Sequence, residues 1–590
     1  MRRFFPLIVL CGTFAAAQPN DTVRASLTRA LPSIEHSTAA FVAKRACVSC
    51  HHNILSILML HMAKDRGVAI DPAVLEAVET KTFRSLRGPA ALDDAIQAAT
   101  INDPTPDDSY LLMAANAAGL PRDLTTAVYA RRLVQWQRDG HWVTSDFRPP
   151  HSSSFFTATA TAVRAISLYM PDELRSERDA CILRARRWLV RMKPLSTEDA
   201  AFRLLGLVWA SGSPAEIAAA RRDMVAMRKP ADGGWPEIPG YPSDAYSTGQ
   251  SLFALHESGM PVTDAAWTAG EHFLISAQAA DGTWHVKTRM LSPADVSPPY
   301  FPTGFPYGKD EFLSYAGSVW AVIALLEALP ATPSRPAPTA PETSETWIRN
   351  ALFGSLDDLK ALDANSKTSR GTTVLMIAAT DAAKVEALLA RGADAKARAA
   401  SNIDALAIAA ASRGTASSIK ALLDAGAEAN PPDGTRVKNA PLLLAAMTGD
   451  LENVKLLLSH GAHSYAALSQ AVTFGYADVV RTLIDAGAPA TMTESSGINL
   501  LHWATIANRA NVIPALAAAG VPVNAKDEAG YTPLMYAATI DFGETSSLRA
   551  LLKAGADPKI RNNEGRTALE QARALQHVNL EAALKAFHTH

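Results

Sequence analysis

Six consecutive positions, Cys47 to His52 in the stretch ACVSCHHN, hold two cysteines and two histidines. The C-x-x-C-H spacing suits three chemistries. Two thiols one helical turn apart can add across the two vinyl groups of a haem, and the histidine that follows can swing under the iron as an axial ligand. The same residues could supply part of a zinc site: Cys47, Cys50, His51 or His52, and one ligand from elsewhere. No second C-x-x-C follows in the chain to complete it. The two cysteines could also form a reversible disulfide. The leading expectation is haem c, with Cys47 and Cys50 as the covalent attachment points and His51 as the proximal ligand and metal-binding residue. Zinc and a redox dithiol are the alternatives.

A haem held by His51 needs its second axial ligand on the opposite side of the iron. Met62 lies eleven residues after His51, about 16 Å along a helix, so the nearby Met59, His61 and Met62 read as one buried helix face. A distal ligand must come from another segment, for which His36, Met113, His141, His151, His256, His272 and His285 are unranked candidates. His52 reads as a polar neighbour.

The elements that would position this cluster are helical. Helix-period apolar segments such as FTATATAVRAISLYM, EDAAFRLLGLVWA and SYAGSVWAVIALLEAL fill residues 18–329, with few alternating runs to compete. STAAFVAKRA before the cluster and ILSILMLHMAKDRG after it give a helix–motif–helix setting. Three turns share one form: DGHW ending at Trp142, DGGW at Trp235 and DGTW at Trp284. The glycine permits a tight turn, and the tryptophan folds back on the helix ends. In the last copy the match extends to Q-x-x-x-G-x-W, from Gln278 through Gly282 to Trp284. Residues 47–51 resemble the haem-attachment motif of c-type cytochromes. The DG-x-W turns and the helices after them resemble the repeats of squalene–hopene cyclases and protein prenyltransferases, which implies an α/α-toroid-like domain over 18–329.

That resemblance brings no catalytic group with it. The D-x-D-D acid of the cyclases is absent; Asp93-Asp94 and Asp107-Asp108 are doublets on turn-like ground, and Asp244 and Asp295 stand alone. No Asp–Cys–His trio matches the prenyltransferase zinc ligands. No catalytic residue is assigned. Cys181, in RDACILRARRWLV, reads as a small buried hydrophobe. Aromatic residues, Phe155, Tyr246 and Trp320 among them, gather on turns and helix starts, where they pack helix ends or line a central cavity for an apolar ligand.

Residues 330–346, in ALPATPSRPAPTAPETSET, form a proline-rich spacer that cannot bury enough apolar surface to fold. Beyond it, over 347–590, the element LL-x-x-G-A recurs with glycines at 392, 426, 461, 487, 520 and 555, spaced 34, 35, 26, 33 and 35 residues apart. A period near 33 is that of a β-turn followed by two short helices. Thr532-Pro533-Leu534 and Leu501-His502 match elements of the ankyrin-repeat family, which this half resembles. The short interval implies a repeat without its hairpin near Tyr465. The resemblance implies a protein partner.

The expected fold class is therefore all-α: an N-terminal α/α-toroid-like domain, a Pro-rich linker and a C-terminal ankyrin solenoid. Residues 1–17, with Arg2-Arg3, an apolar core from Phe4 to Phe14 and Ala15-Ala16-Ala17, read as a signal peptide; Leu10 before Cys11 does not suit a lipid anchor. The expected location is periplasmic or secreted, in a bacterium. A net charge of −2 gives no bulk attraction to nucleic acid, and no stretch is long enough to span a membrane. The combined expectation is an exported haem protein for electron transfer or haem-dependent redox chemistry, docked to a partner by its repeats. The alternatives are a non-catalytic toroid scaffold that binds an apolar ligand or protein, and a cyclase-like enzyme with an unrecognised acid.

Overall fold

A computed structural model describes residues 19–97, 103, 105–146, 148–151, 153–289, 301–331, 346–430 and 440–588. The expected signal peptide and residues 332–345 of the linker lie outside them. The described residues are helical, with only isolated β-bridges.

Among the described residues the first half contains thirteen α-helices: α1 Pro19–Lys44, α2 Ser56–Asp65, α3 Pro72–Thr82, α4 Ala91–Gln97, α5 Tyr110–Ala117, α6 Leu124–Trp136, α7 Phe155–Tyr169, α8 Arg175–Arg191, α9 Thr197–Trp209, α10 Pro214–Ala226, α11 Ala245–Glu257, α12 Ala265–Ala277 and α13 Glu311–Glu327. Helices α2, α5, α7, α9, α11 and α13 each pack on the next, and α13 returns to α2, so six helices close an inner ring. The outer helices α3, α6, α8, α10 and α12 lean on it, and α1 lies against α13. Small residues allow the close approach: Gly206 of α9 faces Ala160 of α7, and Gly249 of α11 faces the backbone of Trp320 in α13.

The three DG-x-W turns are one device used three times. Their glycines sit at φ 84°, 83° and 85°, a region that L side chains avoid. A Cβ on Gly140 or Gly233 would stand 2.7 Å from the carbonyl oxygen of Arg184 or Ala269. One on Gly282 would run into the carbonyl of Arg29. Each tryptophan is buried. Its indole N–H donates back to the outer helix just ended: Trp142 to Leu133, Trp235 to Met224 and Trp284 to Leu274, at 2.7, 2.8 and 2.7 Å. Its backbone N–H donates forward to a hydroxyl of the next inner helix: Thr159, Thr248 and Ser318, at 3.2, 2.9 and 3.0 Å.

The second half is a stack of helix pairs. Hairpin turns close at Thr368–Thr372, Ala399–Ile403, Glu494–Ile498, Asp527–Tyr531 and Asn562–Arg566. After Gly461 the chain enters the next helix at Tyr465, leaving no room for a hairpin there. One repeat cannot bury its own apolar face, so each depends on its neighbours.

The two halves are bonded through the turns that join the two helices of successive repeats. Trp136 donates its indole N–H to the carbonyl of Ala411 at 2.9 Å. Arg138 donates to the Gly449 carbonyl at 3.0 Å and to both carboxylate oxygens of Asp478 at 3.0 and 2.9 Å. Arg509 is buried over the ring of Phe155, donating to the carbonyls of Thr144 and Thr473. Tyr241 donates to Asp541 at 2.9 Å, and buried Arg289 pairs with Glu237 and the Asp541 carbonyl. Asp93 corrects the sequence expectation of turn-like ground: it lies in α4, nearly buried, and accepts hydrogen bonds from Thr368 and Thr372 of the first hairpin.

Two outcomes follow. Gly282→Ala loses about 3 kcal/mol, because backbone strain and a clash with Arg29 act together; chemical denaturation measures it. Arg289→Ala leaves the Glu237 carboxylate buried and unpaired and loses about 3–5 kcal/mol, read in the same assay.

Candidate functional site

The cluster sits where the first turns of the inner helices converge. Helix α1 ends at Lys44, the chain bends at Ala46–Cys47, and a π-helical turn at Cys50–Leu55 leads into α2. Ser49 fixes this start: its Oγ accepts the His52 N–H at 3.1 Å, and its own N–H donates to Asn53 Oδ1 at 3.0 Å. Asn53 in turn donates to Thr82 at 3.2 Å. Such an N-cap satisfies donors that the helix cannot.

Cys50 is 5% exposed, and its Sγ stands 2.9 Å from His151 Nε2. His151 Nδ1 is 3.0 Å from the Tyr246 hydroxyl, which donates to Glu198 Oε2 at 2.8 Å. Thr157 donates to the other Glu198 oxygen at 2.6 Å. The directions are coupled. Because Tyr246 gives its hydrogen to Glu198, its oxygen accepts one from His151 Nδ1–H. That leaves Nε2 unprotonated and facing the thiol. The arrangement can therefore take the Cys50 proton onto His151 and steady the resulting imidazolium through Tyr246 and Glu198.

A second chain runs from the adjacent histidines. Thr303 donates to Glu311, Ser37 and Thr303 are 2.6 Å apart, and Ser37 is 3.0 Å from His52 Nε2. His52 Nδ1 meets His51 Nδ1. The consistent direction runs from His51 Nδ1–H to His52, Ser37, Thr303 and Glu311. His52 stacks on Tyr315 at 3.7 Å and on Phe41 at 4.5 Å; His51 stacks on Phe312 at 5.4 Å and meets Phe41 and His151 edge-on.

Burial governs the titration of the whole group. It pushes the Glu198 carboxyl up to about 7, against the pull of His151 and of the hydrogen bonds from Thr157 and Tyr246. It holds His51 and His52 well below the usual imidazole range, helped by charge repulsion from neighbouring histidines, and lowers His151 as well. Tyr110 is raised by burial and by the charges of Glu198 and Cys50. On its other side Tyr110 lines a cavity of about 890 Å³ at the far end of the ring, walled by Phe202, Phe253 and Trp320.

The haem-dependent function expected from the sequence is corrected here. Among the described residues no three His, Cys, Asp or Glu side chains converge to hold a metal ion. Cys47 is exposed while Cys50 is buried against His151, so the two sulfurs face different surroundings. The space around the His51 ring is filled by Phe41, His52, His151 and Phe312, where a porphyrin would have to lie. The distal candidates are scattered. His141 stacks on Trp188, His285 faces Asp310, His256 faces Glu327, and His36 lies under Gly304. His151 alone of them reaches the cluster, on Cys50. His61 pairs with Glu79 at 2.7 Å, and Met59 is buried. Cys181 is fully buried, which pushes its thiol up to about 12. Sequence reasoning missed Glu198 and Tyr110, and it placed Tyr246 only among the aromatic residues at helix starts. Their common signal is a polar or aromatic residue in the first turn of an inner helix.

The family model for ankyrin repeats (three copies) matches residues 375–467, 406–494, 468–562 and 501–585. An ankyrin repeat-containing protein of Treponema pallidum (strain Nichols) is 38% identical over 96 residues, 16% of this chain and 32% of the relative. Palmitoyltransferase Hip14 of Drosophila melanogaster is 36% identical over 97 residues, 16% of this chain and 15% of the relative. This chain thus spans a third or less of these relatives' lengths. The human ASB11 ankyrin repeat domain aligns at TM-score 0.32 and 24% identity over 36% of this chain and 96% of that one. The C-terminal half carries ankyrin repeats over residues 375–585, and among the described residues no helix is long and apolar enough to cross a membrane.

Three neutral histidines, His52 buried and His51 and His151 half-buried, set a pH dependence. Their folded pKa values are lowered, so the unfolded chain takes up protons first as the pH falls. Stability is held above pH about 6.5 and lost below it, by at most about 1.4 kcal/mol per pH unit for each histidine. His52→Gln removes one of these terms, so the gap in thermal midpoint between pH 7 and pH 5 narrows relative to the wild type.

Proposed function

We propose that this chain recruits a protein partner on the hairpin edge of its ankyrin array, while the opposite edge clamps the array onto the N-terminal ring. One observation carries the reading. The helix-to-helix turns from Ala411 to Asp541 are bonded to the ring, whereas the hairpins at 494–498, 527–531 and 561–566 present exposed side chains. Met492, 56% exposed beside the first of these hairpins, is an apolar anchor on an otherwise polar edge. Lys526, Glu528, Arg561 and Glu564 add exposed charges of both signs on the next two hairpins. Apolar centres ringed by polar groups are typical of protein contacts.

Several finer readings belong to this proposal. The N-terminal residues 18–329 are a degenerate α/α toroid akin to that of cyclases and prenyltransferases; the closed succession of inner helices and the repeated DG-x-W turns support this. The Pro-rich stretch 330–346 joins it to the repeats at 347–590. The leader at 1–17 supports export to a periplasm or beyond.

The test is a crosslinking pull-down from the native host with the full chain as bait. Met492→Asp combined with Glu528→Arg lowers recovery of the wild-type partner at least tenfold, with the thermal midpoint unchanged. Equal recovery by this variant would place recognition elsewhere.

A further inference from the structure

We propose that Cys47 and Cys50 form a redox-active dithiol that exchanges with a disulfide of another polypeptide. This goes beyond partner recruitment and does not depend on which protein the hairpins hold.

The two sulfurs have complementary positions. Cys47 is exposed at the bend after α1, where a large molecule can reach it; Cys50, three positions on, is buried at the start of the next helix. Lys81 lies within electrostatic range of Cys47, and Arg148 within range of Cys50. Arg148 is itself held by Asp146 at 3.0 and 2.9 Å. His151 Nε2, 2.9 Å from Cys50 Sγ, is the base for the buried thiol alone. An exposed attacking sulfur and a buried resolving sulfur with its own base are what two-step exchange requires. A buried Cys50 could not itself meet a disulfide on another protein.

The steps balance as follows. The Cys47 thiolate attacks one sulfur of the partner's disulfide. A Cys47–partner S–S bond forms, the partner's S–S bond breaks, and one partner thiolate leaves and takes up the proton that Cys47 released. Cys50 then gives its proton to His151 and attacks the Cys47 sulfur. The Cys47–Cys50 bond forms, the mixed disulfide breaks, and the second partner thiolate leaves, accepting the proton from His151. The cysteine pair loses two electrons, and the partner's disulfide gains them. For the second step the Cys50 side chain turns from His151 towards Cys47, across Val48 and Ser49.

The reduced full-length protein is mixed with oxidised glutathione or, separately, with insulin, then alkylated with iodoacetamide and mapped by mass spectrometry. With both reagents, Cys47 and Cys50 become protected together as one internal disulfide, and Cys181, fully buried, is unaffected. Cys50→Ser accumulates a stable mixed disulfide at Cys47; Cys47→Ser forms none. His151→Phe leaves the first step unchanged and slows release of the mixed disulfide at least tenfold, a split that a purely structural role would not produce. Circular dichroism confirms that each variant is folded. Three results would overturn the proposal: both thiols remain alkylatable after exposure to either reagent; wild type holds the mixed disulfide as long as Cys50→Ser does; or glutathione reacts and insulin does not, which removes the polypeptide substrate.

Discussion

The tryptophan of each DG-x-W turn is held from two sides, and the ring depends on that grip. Its indole is tied back to the outer helix that has just ended, and its backbone N–H is tied forward to a hydroxyl on the inner helix about to run. The glycine before it admits no Cβ, because the next outer helix lies against it. These constraints fix where an inner helix begins. With α7 and α11 started in this way and α13 tied at Ser318, their first turns point to one end of the ring. The side chains found at that end are His151, Tyr246 and Glu311, joined by Glu198 from α9 and by Cys50, His51 and His52 from the turn before α2.

The ankyrin array is bonded on the same end. Arg509 lies over Phe155, the first residue of α7 and four residues beyond His151. The array therefore contributes to excluding water from the side of the ring where the histidines are buried. Buried arginines are costly unless their donors are satisfied. Arg289 meets this demand with a carboxylate and Arg509 with carbonyls, and both bind fixed backbone of the other half. Bonds of this kind set the register between the two halves more narrowly than apolar contact alone, because each guanidinium accepts few geometries.

What could be read from the sequence was whatever a short stretch of chain determines. The DG-x-W turns were legible because backbone conformation demands the glycine and packing demands the tryptophan. The repeats were legible from their period, and the hairpin missing near Tyr465 from a shortened interval. Cys181 was legible from its place on an apolar stripe. The cluster was not. Cys50 meets His151 across 101 residues, and His51 is enclosed by Phe312 from the last inner helix, so spacing alone could not tell an axial ligand from a packed ring. Asp93 looked like a loop residue because its partners, Thr368 and Thr372, belong to the other half.

The repeat that lacks a hairpin interrupts the finger edge. Before it, the hairpins at 368–372 and 399–403 are bonded to α4 through Asp93 and Gln97. After it, the last three hairpins are linked backbone to backbone, Glu528 N–H to the Ser496 carbonyl at 2.9 Å and Asn563 N–H to the Ala529 carbonyl at 3.1 Å. Among the described residues the edge is thus two ladders with a break between Gly461 and Tyr465. Force applied to the outer ladder cannot travel hairpin to hairpin into α4. It passes instead through the helices and enters the ring at the helix-to-helix turns, from Ala411 and Gly449 to Asp478, Arg509 and Asp541, at the end where the histidines lie.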